Sequence, residues 1–442
     1  MRPFEMVLIG IFAFAAIGGL LMFSKFKPAA SEQDLMYGAK VEIWGTFDED
    51  VIRQIFYDFS KKQKAFEAVS YKQIDKRNFQ YEILNAIAEG RAPDLVLMPH
   101  SLLVTYRTKL YPIPYGAPLT PVSSGILDQR TFRDRYVDGA EIFMMDDGIY
   151  GIPYVVDPLI MYWNRNIFSN SGISNPPTTW ETLINKTVYV LNKEDDWRNL
   201  TQSSVALGEY TNILYAKNIL SMLMIQAGSS IGEEKEGKYR VTFDDPTTQQ
   251  GIPVGPAVLS FYTQFALPNK EAYSWNRSKA TDRDEFLSER LGMYFGMGSE
   301  RNEIEQDNAN LNYDVAVVPQ GEGVTTKRTF GEIYAFAIPR ASKNKTGAYN
   351  AAVYLASPDQ AKVFAEAFSL APASRALFVG NYGDSFTDIL YQSALIARGW
   401  LDPDPTESSD VFKSMVEDSL SDNTRVPSIV NDSVRRIEAL YE

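Results

Sequence analysis

The sequence predicts an α/β fold with room for more than one domain, and three observations predict it. Between Lys40 and Met98 the chain reads strand, helix, strand, helix, strand, the alternation that builds a sheet flanked by helices. Its 442 residues are enough for two or three domains. The third observation is the stretch Gly148 to Phe168, GIYGIPYVVDPLIMYWNRNIF. Pro153 and Pro158 break any helix there, while its Val, Ile, Tyr and Trp residues favour extended chain.

In chain order, Lys40 to Trp44 (KVEIW) alternates as a strand, with Val41 and Ile43 on one face. Val51, Ile52, Ile55, Phe56 and Phe59 then recur at helical spacing. Phe79, Ile83 and Ile87 mark a second amphipathic helix, closed by Gly90. Leu95-Val96-Leu97-Met98 is the short apolar run of a buried parallel strand. Ligands collect at the carboxyl ends of strands in open α/β sheets, which puts Trp44 to Asp48 and Pro99 to Ser101 at one edge. Pro112 to Pro121 and Asp402-Pro403-Asp404-Pro405 read as loops. Helix starts are predicted at Thr178-Thr179-Trp180-Glu181, at Asp244-Asp245-Pro246 and at Ser357-Pro358. Leu291 to Ser299 and Gly331 to Ile338 are glycine-punctuated strands. Their glycines either admit close approach of a ligand or strand, or form turns and bulges.

Asp157 is the one charge among the fifteen residues from Ile149 to Trp163. A lone buried charge costs several kcal/mol or more, so this carboxylate is paired or faces water. Two readings follow: an Asp at a strand end bonded to nearby amides, or an acid at the mouth of a cleft where a hinge strand passes between two lobes.

Composition narrows the function. Lys plus Arg number 43 and Asp plus Glu 56, a net charge of −13, and no basic cluster offsets it; nucleic acid is not an expected partner. There is no Cys and a single His, His100, which excludes disulfides, thiolate metal sites and sites needing two imidazoles. No cofactor is expected. Met6 to Phe23 is 18 residues without a charge, a helix of about 27 Å that matches a bilayer core. Ser24-Lys25-Phe26-Lys27-Pro28 is a poor cleavage context after it, so an uncleaved anchor is expected, with a polar linker behind it. Lys25 and Lys27 on one side and Arg2 with the terminal amine on the other leave the topology nearly tied by charge.

The ordered set VEIWGTFDED, AEGRAPDLVL, DDGIYGIPYVVDPLIMYWNRNIF, NPPTTWETL, LSERLGMYFGMGSE, YDVAVVPQGEG, GEIYAFAIPRASKNK, AAVYLASPDQAKVF and LAPASRALF resembles the extracellular solute-binding proteins of bacterial ABC importers, specifically the sugar-binding group. The resemblance runs from about Val41 to Phe378 and more loosely to the end. It implies a two-lobe periplasmic-binding-protein-like fold of type II with hinge strands, preceded here by one N-terminal transmembrane helix. The expected division is an anchor at 1–24, a linker at 25–39, lobe I at 40–154 with 331–378, and lobe II at 155–330 with 379–442. It further implies a monomer outside the cell membrane that captures a small solute, a sugar first, by hinge closure and passes it to ABC permease subunits.

By position, the family places ligand contacts at Trp44 and Asp48, at the hinge carboxylate Asp157, at Gly298 and Ser299, at Glu332, and in the loop holding His100 and Ser101. Trp400 is a second aromatic platform. Trp44 and Trp400 also fit as plain core or rim aromatics, and His100 as a structural residue. The family's lipid-bearing Cys is absent, Gly251 to Pro256 interrupts a helix that is normally continuous, and Gly298 stands where many sugar binders carry an aromatic. Rival readings are a glycosidase using two carboxylates (Asp146 with Asp147, or Asp157 with Glu332), a surface receptor or adhesin without transport, and a binder of polyamine, glycerol phosphate or peptide.

Overall fold

The computed structural model describes residues 40–119, 125–197, 199–245, 253–380 and 382–442. The expected anchor and linker lie outside them, as do Thr120 and Pro121 of the first loop. No helix among the described residues is long and apolar enough to cross a membrane. Residues 246–252 also lie outside, among them Pro246 of the predicted start and Gly251 and Ile252 of the glycine-proline stretch, whose remaining residues cap and open the helix Val254–Thr263.

Strands β1 (Val41–Gly45), β2 (Val69–Gln73) and β3 (Leu95–Pro99) run parallel. Helices Glu49–Lys62 (α1) and Phe79–Ala88 (α2) lie between them in sequence. The long strand β4 (Ile152–Asn164), β5 (Leu200–Val205), β6 (Leu291–Met297), β7 (Tyr313–Ala316) and β8 (Thr329–Ala337) belong to the same sheet, which three two-residue strands complete. Its order is β2-β1-β3-β8-β4-β6-β5, with β7 also on β4. β8 is antiparallel to both β3 and β4.

All thirteen residues of β4 are buried, and the strand changes partner partway. Its first half pairs with β8, from Ile152↔Phe336 to Pro158↔Gly331. Its second half pairs with β6, from Leu159↔Met297 to Trp163↔Met293, and with β7. Proline has no N–H to give to a ladder and is normally kept out of central strands. Here the two prolines fall where the ladder is irregular. Pro153 pairs with Ala335 at the register shift between Tyr334 and Ala335, and Pro158 is the last residue before the change of partner. β4 is therefore the element common to both halves of the sheet.

The local predictions hold with small shifts. Asp48 is the N-cap of α1, its Oδ1 accepting from the amides of Asp50 and Val51, 3.0 Å each. Gly90 follows α2 at φ +69°, the left-handed residue that ends a helix. Near Trp180 the capping side chain is Thr179, which accepts from Thr182 N. A helix spans Pro358–Ala367 with Pro in its first turn.

Candidate functional site

The middle of β8 reads Phe330-Gly331-Glu332-Ile333-Tyr334. Strand alternation puts Phe330, Glu332 and Tyr334 on one face and Gly331 and Ile333 on the other. Helix α3 (Ala216–Gln226) packs over that strand and presents Lys217, Asn218 and Ser221. Between them lies a cavity of about 200 Å³, lined also by His100, Ser101, Trp400, Asp402 and Pro405. Four segments far apart in sequence thus meet at one place.

Directly across the ladder from Glu332 stands Asp157. Asp157 is 5% exposed, and its Oδ1 accepts from Ser299 N (3.0 Å) while Oδ2 accepts from Ser299 Oγ (2.6 Å). Neither reading of this acid is met as stated: it sits mid-strand in the sheet interior, held by a turn 142 residues away. Burial pushes its pKa up to about 6, the Ser299 bonds pull against that, and the Glu332 charge adds to the rise. Glu332 keeps 22% of its side chain exposed and accepts from Ser101 Oγ at 3.2 Å. Burial raises its pKa too, against the Ser101 bond and the more distant charges of Lys76 and Lys217.

His100 opens the turn after β3 and is 1% exposed. Its Nδ1 accepts the Ile333 N–H at 3.1 Å, so the ring proton is assigned to Nε2. Burial lowers its pKa to about 4, and the ring is neutral. Its 3.4 Å approach to Glu332 Oε2 therefore joins two acceptors and is not an ion pair. The other edge of the ring packs on Gly399, where any Cβ would fall inside the imidazole. Gly399→Ala is thus expected to displace His100 and cost about 1–3 kcal/mol, read as a lower urea midpoint; an unchanged midpoint would show that the ring is free to move.

Lys217 is already committed. Its Nζ donates to Asp402 Oδ2 (2.5 Å), Ser408 Oγ (2.6 Å) and Pro405 O (3.0 Å), using all three ammonium protons. Trp400, 3% exposed, lies with its ring 5.5 Å from that Nζ. Ser221 Oγ is buried and has no hydrogen-bond partner.

Of the residues expected at a site, His100, Ser101, Glu332 and Trp400 line the cavity. Asp157 and Ser299 adjoin it through the Glu332 pairing, and Gly298 packs between Asp157 and Leu390. Two stand apart. Trp44 is 4% exposed, has Lys72 Nζ 4.1 Å above its ring and leaves Nε1 unpartnered; it does not line the cavity. Asp48 is an exposed helix cap. Phe330, Lys217, Asn218 and Ser221 escaped the sequence reading. Phe330 follows from counting by twos from Glu332. Lys217 carries the signal that singled out Asp157, a lone charge in an apolar run (AKNILSMLMIQ).

A family model described as a bacterial extracellular solute-binding protein matches residues 54–377. The chain belongs to that family. Among curated relatives of this solute-binding protein, one binding protein of Brucella abortus (strain 2308) is 22% identical over 408 residues, covering 87% of this chain and 90% of its own. The galactooligosaccharide-binding protein of Bacillus subtilis (strain 168) is 20% identical over 367 residues, 79% of this chain and 76% of its own. Among solved structures, a cyclo/maltodextrin-binding protein complexed with maltotetraose superposes with a TM-score of 0.68 at 16% identity, over 90% of this chain and 96% of that one. The GacH receptor of Streptomyces glaucescens, solved unliganded and with acarbose, gives 0.67 at 16%, over 91% and 98%. At such identities the likeness is one of fold: an α/β, two-lobe, periplasmic-binding-protein-like architecture. Family and fold are those of binding proteins. Among the described residues no group of His, Asp or Glu could hold a metal ion.

Proposed function

We propose that this solute-binding protein captures a small polyhydroxylated solute, a carbohydrate first, between lobes 40–154 with 331–378 and 155–330 with 379–442, turning about β4. The observation that carries the reading is the cavity, where aromatic side chains (Trp400, Phe330) meet hydroxyl, amide and carboxylate groups (Ser101, Ser221, Asn218, Glu332) from segments distant in sequence. A pyranose has an apolar face for a ring and a rim of hydroxyls that donate well to a carboxylate. Contacts to both lobes would favour the closed form, since only differential affinity shifts such an equilibrium. The relatives named for galactooligosaccharide and maltodextrin point the same way. Delivery to an ABC permease, tethering through Met6 to Phe23 and a monomeric state belong to this reading.

A thermal-shift screen of the purified chain against sugars, polyamines and phosphorylated polyols identifies the solute, because a ligand selective for the native state raises Tm. For the sugar so found, Glu332→Ala is expected to weaken binding by about 1–3 kcal/mol, while Trp44→Phe leaves the calorimetric Kd unchanged. Equal affinity in parent and Glu332→Ala would remove the cavity from the solute site.

A further inference from the structure

We infer that the cleft holds a protonated amine against Glu332, with Asp157 behind it across the ladder, so that the solute is an amine-bearing polyol such as an amino sugar and not a neutral sugar. This rests on the reading above, that the cavity is the solute site. The carrying observation is a like-charge pair placed directly opposite across an antiparallel ladder, an arrangement that destabilises a sheet. Asp157 is buried and Glu332 is mostly covered, so charge at the pair is costly without a counter-charge.

Within ion-pair distance the structure supplies none; the charges of Lys76 and Lys217 act only from farther off. Among the described residues no Lys or Arg nitrogen approaches either carboxylate within ion-pair distance, and the one basic group that does, His100, is neutral and already accepts a backbone amide. Lys217 faces the cavity but spends its three protons on Asp402, Pro405 and Ser408. The donors the acids do have are uncharged: Ser299 for Asp157 and Ser101 for Glu332. A ligand ammonium is the group that completes this set.

Ser221 is the second, independent pointer. Its hydroxyl is fully buried beside the cavity and unpartnered, whereas nearly all buried hydroxyls are bonded. A ligand hydroxyl satisfies it, which a bare diamine does not provide. Carboxylate and phosphate solutes are disfavoured, because they would meet Glu332, with Asp157 behind it, and no cation within ion-pair distance of either acid.

The test is calorimetry on the full chain with matched pairs, glucosamine against glucose and N-acetylglucosamine, and galactosamine against galactose, with putrescine alongside. Each amine is expected to bind at least about tenfold tighter than its neutral counterpart, the difference between a charged and a neutral hydrogen-bonded partner. In Glu332→Gln and Asp157→Asn that ratio should fall toward one; being a ratio within one variant, it is insensitive to a general loss of folding. Neutral sugars binding as tightly as their amines would overturn the amine and leave the carbohydrate reading standing, and so would a ratio that survives both variants. Binding of putrescine alone, lost in Glu332→Gln, would support an ammonium position and overturn the polyol part and the carbohydrate reading. Binding by none of them would overturn both.

Discussion

Lys217→Met is expected to lower the stability of this protein by about 3–5 kcal/mol at pH 7.5, the usual consequence of stripping the counter-ion from a buried charge. Lys217 is 16% exposed and Asp402 3% by side chain. With the ammonium gone, Asp402 keeps only Ser408 Oγ as a side-chain donor, at 2.7 Å. Burial already raises the Asp402 pKa, and Lys217 is the largest influence holding it down, so the variant pushes it further up. A carboxyl whose folded pKa lies above its unfolded one stabilises fully below the unfolded value and loses that contribution as pH rises through the folded one. The deficit of Lys217→Met should therefore shrink as pH falls toward 4. Replacing both partners, as Lys217→Met with Asp402→Leu, should recover most of the loss, since an apolar pair of similar volume leaves no orphaned charge. Urea titrations of the parent, the single and the double variant measure this. A single-variant loss below about 1 kcal/mol, the range of solvent-screened pairs, would sink the claim that this pair is buried.

How far the sequence carries depends on which residues one asks about. β1, β3, α1 and α2 were legible because period two and period 3.6 are local properties and their caps are adjacent residues. The strand nature of Ile152–Asn164 was legible from composition. Its change of partner at Pro158 was not, since that depends on β6 and β8 arriving from the far end of the chain. Asp157 and Glu332 were both singled out, one as a lone charge and one by resemblance, yet only the register shows them opposite each other. Trp44 illustrates the converse. Its place at a strand end suits a ligand contact, but β1 lies two strands away from β8, and the ring is closed in under Lys72. The committed Lys217 and the open Ser221 hydroxyl are one helical turn apart on α3 and differ only in what the C-terminal segment brings to them.

The same logic of buried acids extends beneath the loop that holds Asp157 and sets a pH dependence for the whole fold. Glu300 follows Ser299, is 4% exposed, and accepts from Tyr294 Oη (2.9 and 2.8 Å) and Met297 N (3.1 Å). Arg283 Nε lies 3.4 Å away but makes no hydrogen bond, and its Nη2 is bonded to Asp307. Burial outweighs these and pushes the Glu300 pKa up to about 8. Asp282, 1% exposed with Oδ2 unpartnered, is pushed up by burial to about 7. Both carboxyls thus hold protons in the folded chain that the unfolded chain has released above about pH 4.5. Through that window the native state binds more protons, so stability falls as pH rises, from its full value below pH 4 to its loss above the folded pKa. The urea midpoint should be lower at pH 8.5 than at pH 5.5. Glu300→Gln, neutral at both, should remove roughly 3 kcal/mol of that slope and so be more stable than the parent at pH 8.5 while close to it at pH 5.5. If Glu300→Gln loses as much stability across this range as the parent, Glu300 is ionised in the native chain and the neighbouring Arg283 charge, not burial, governs it.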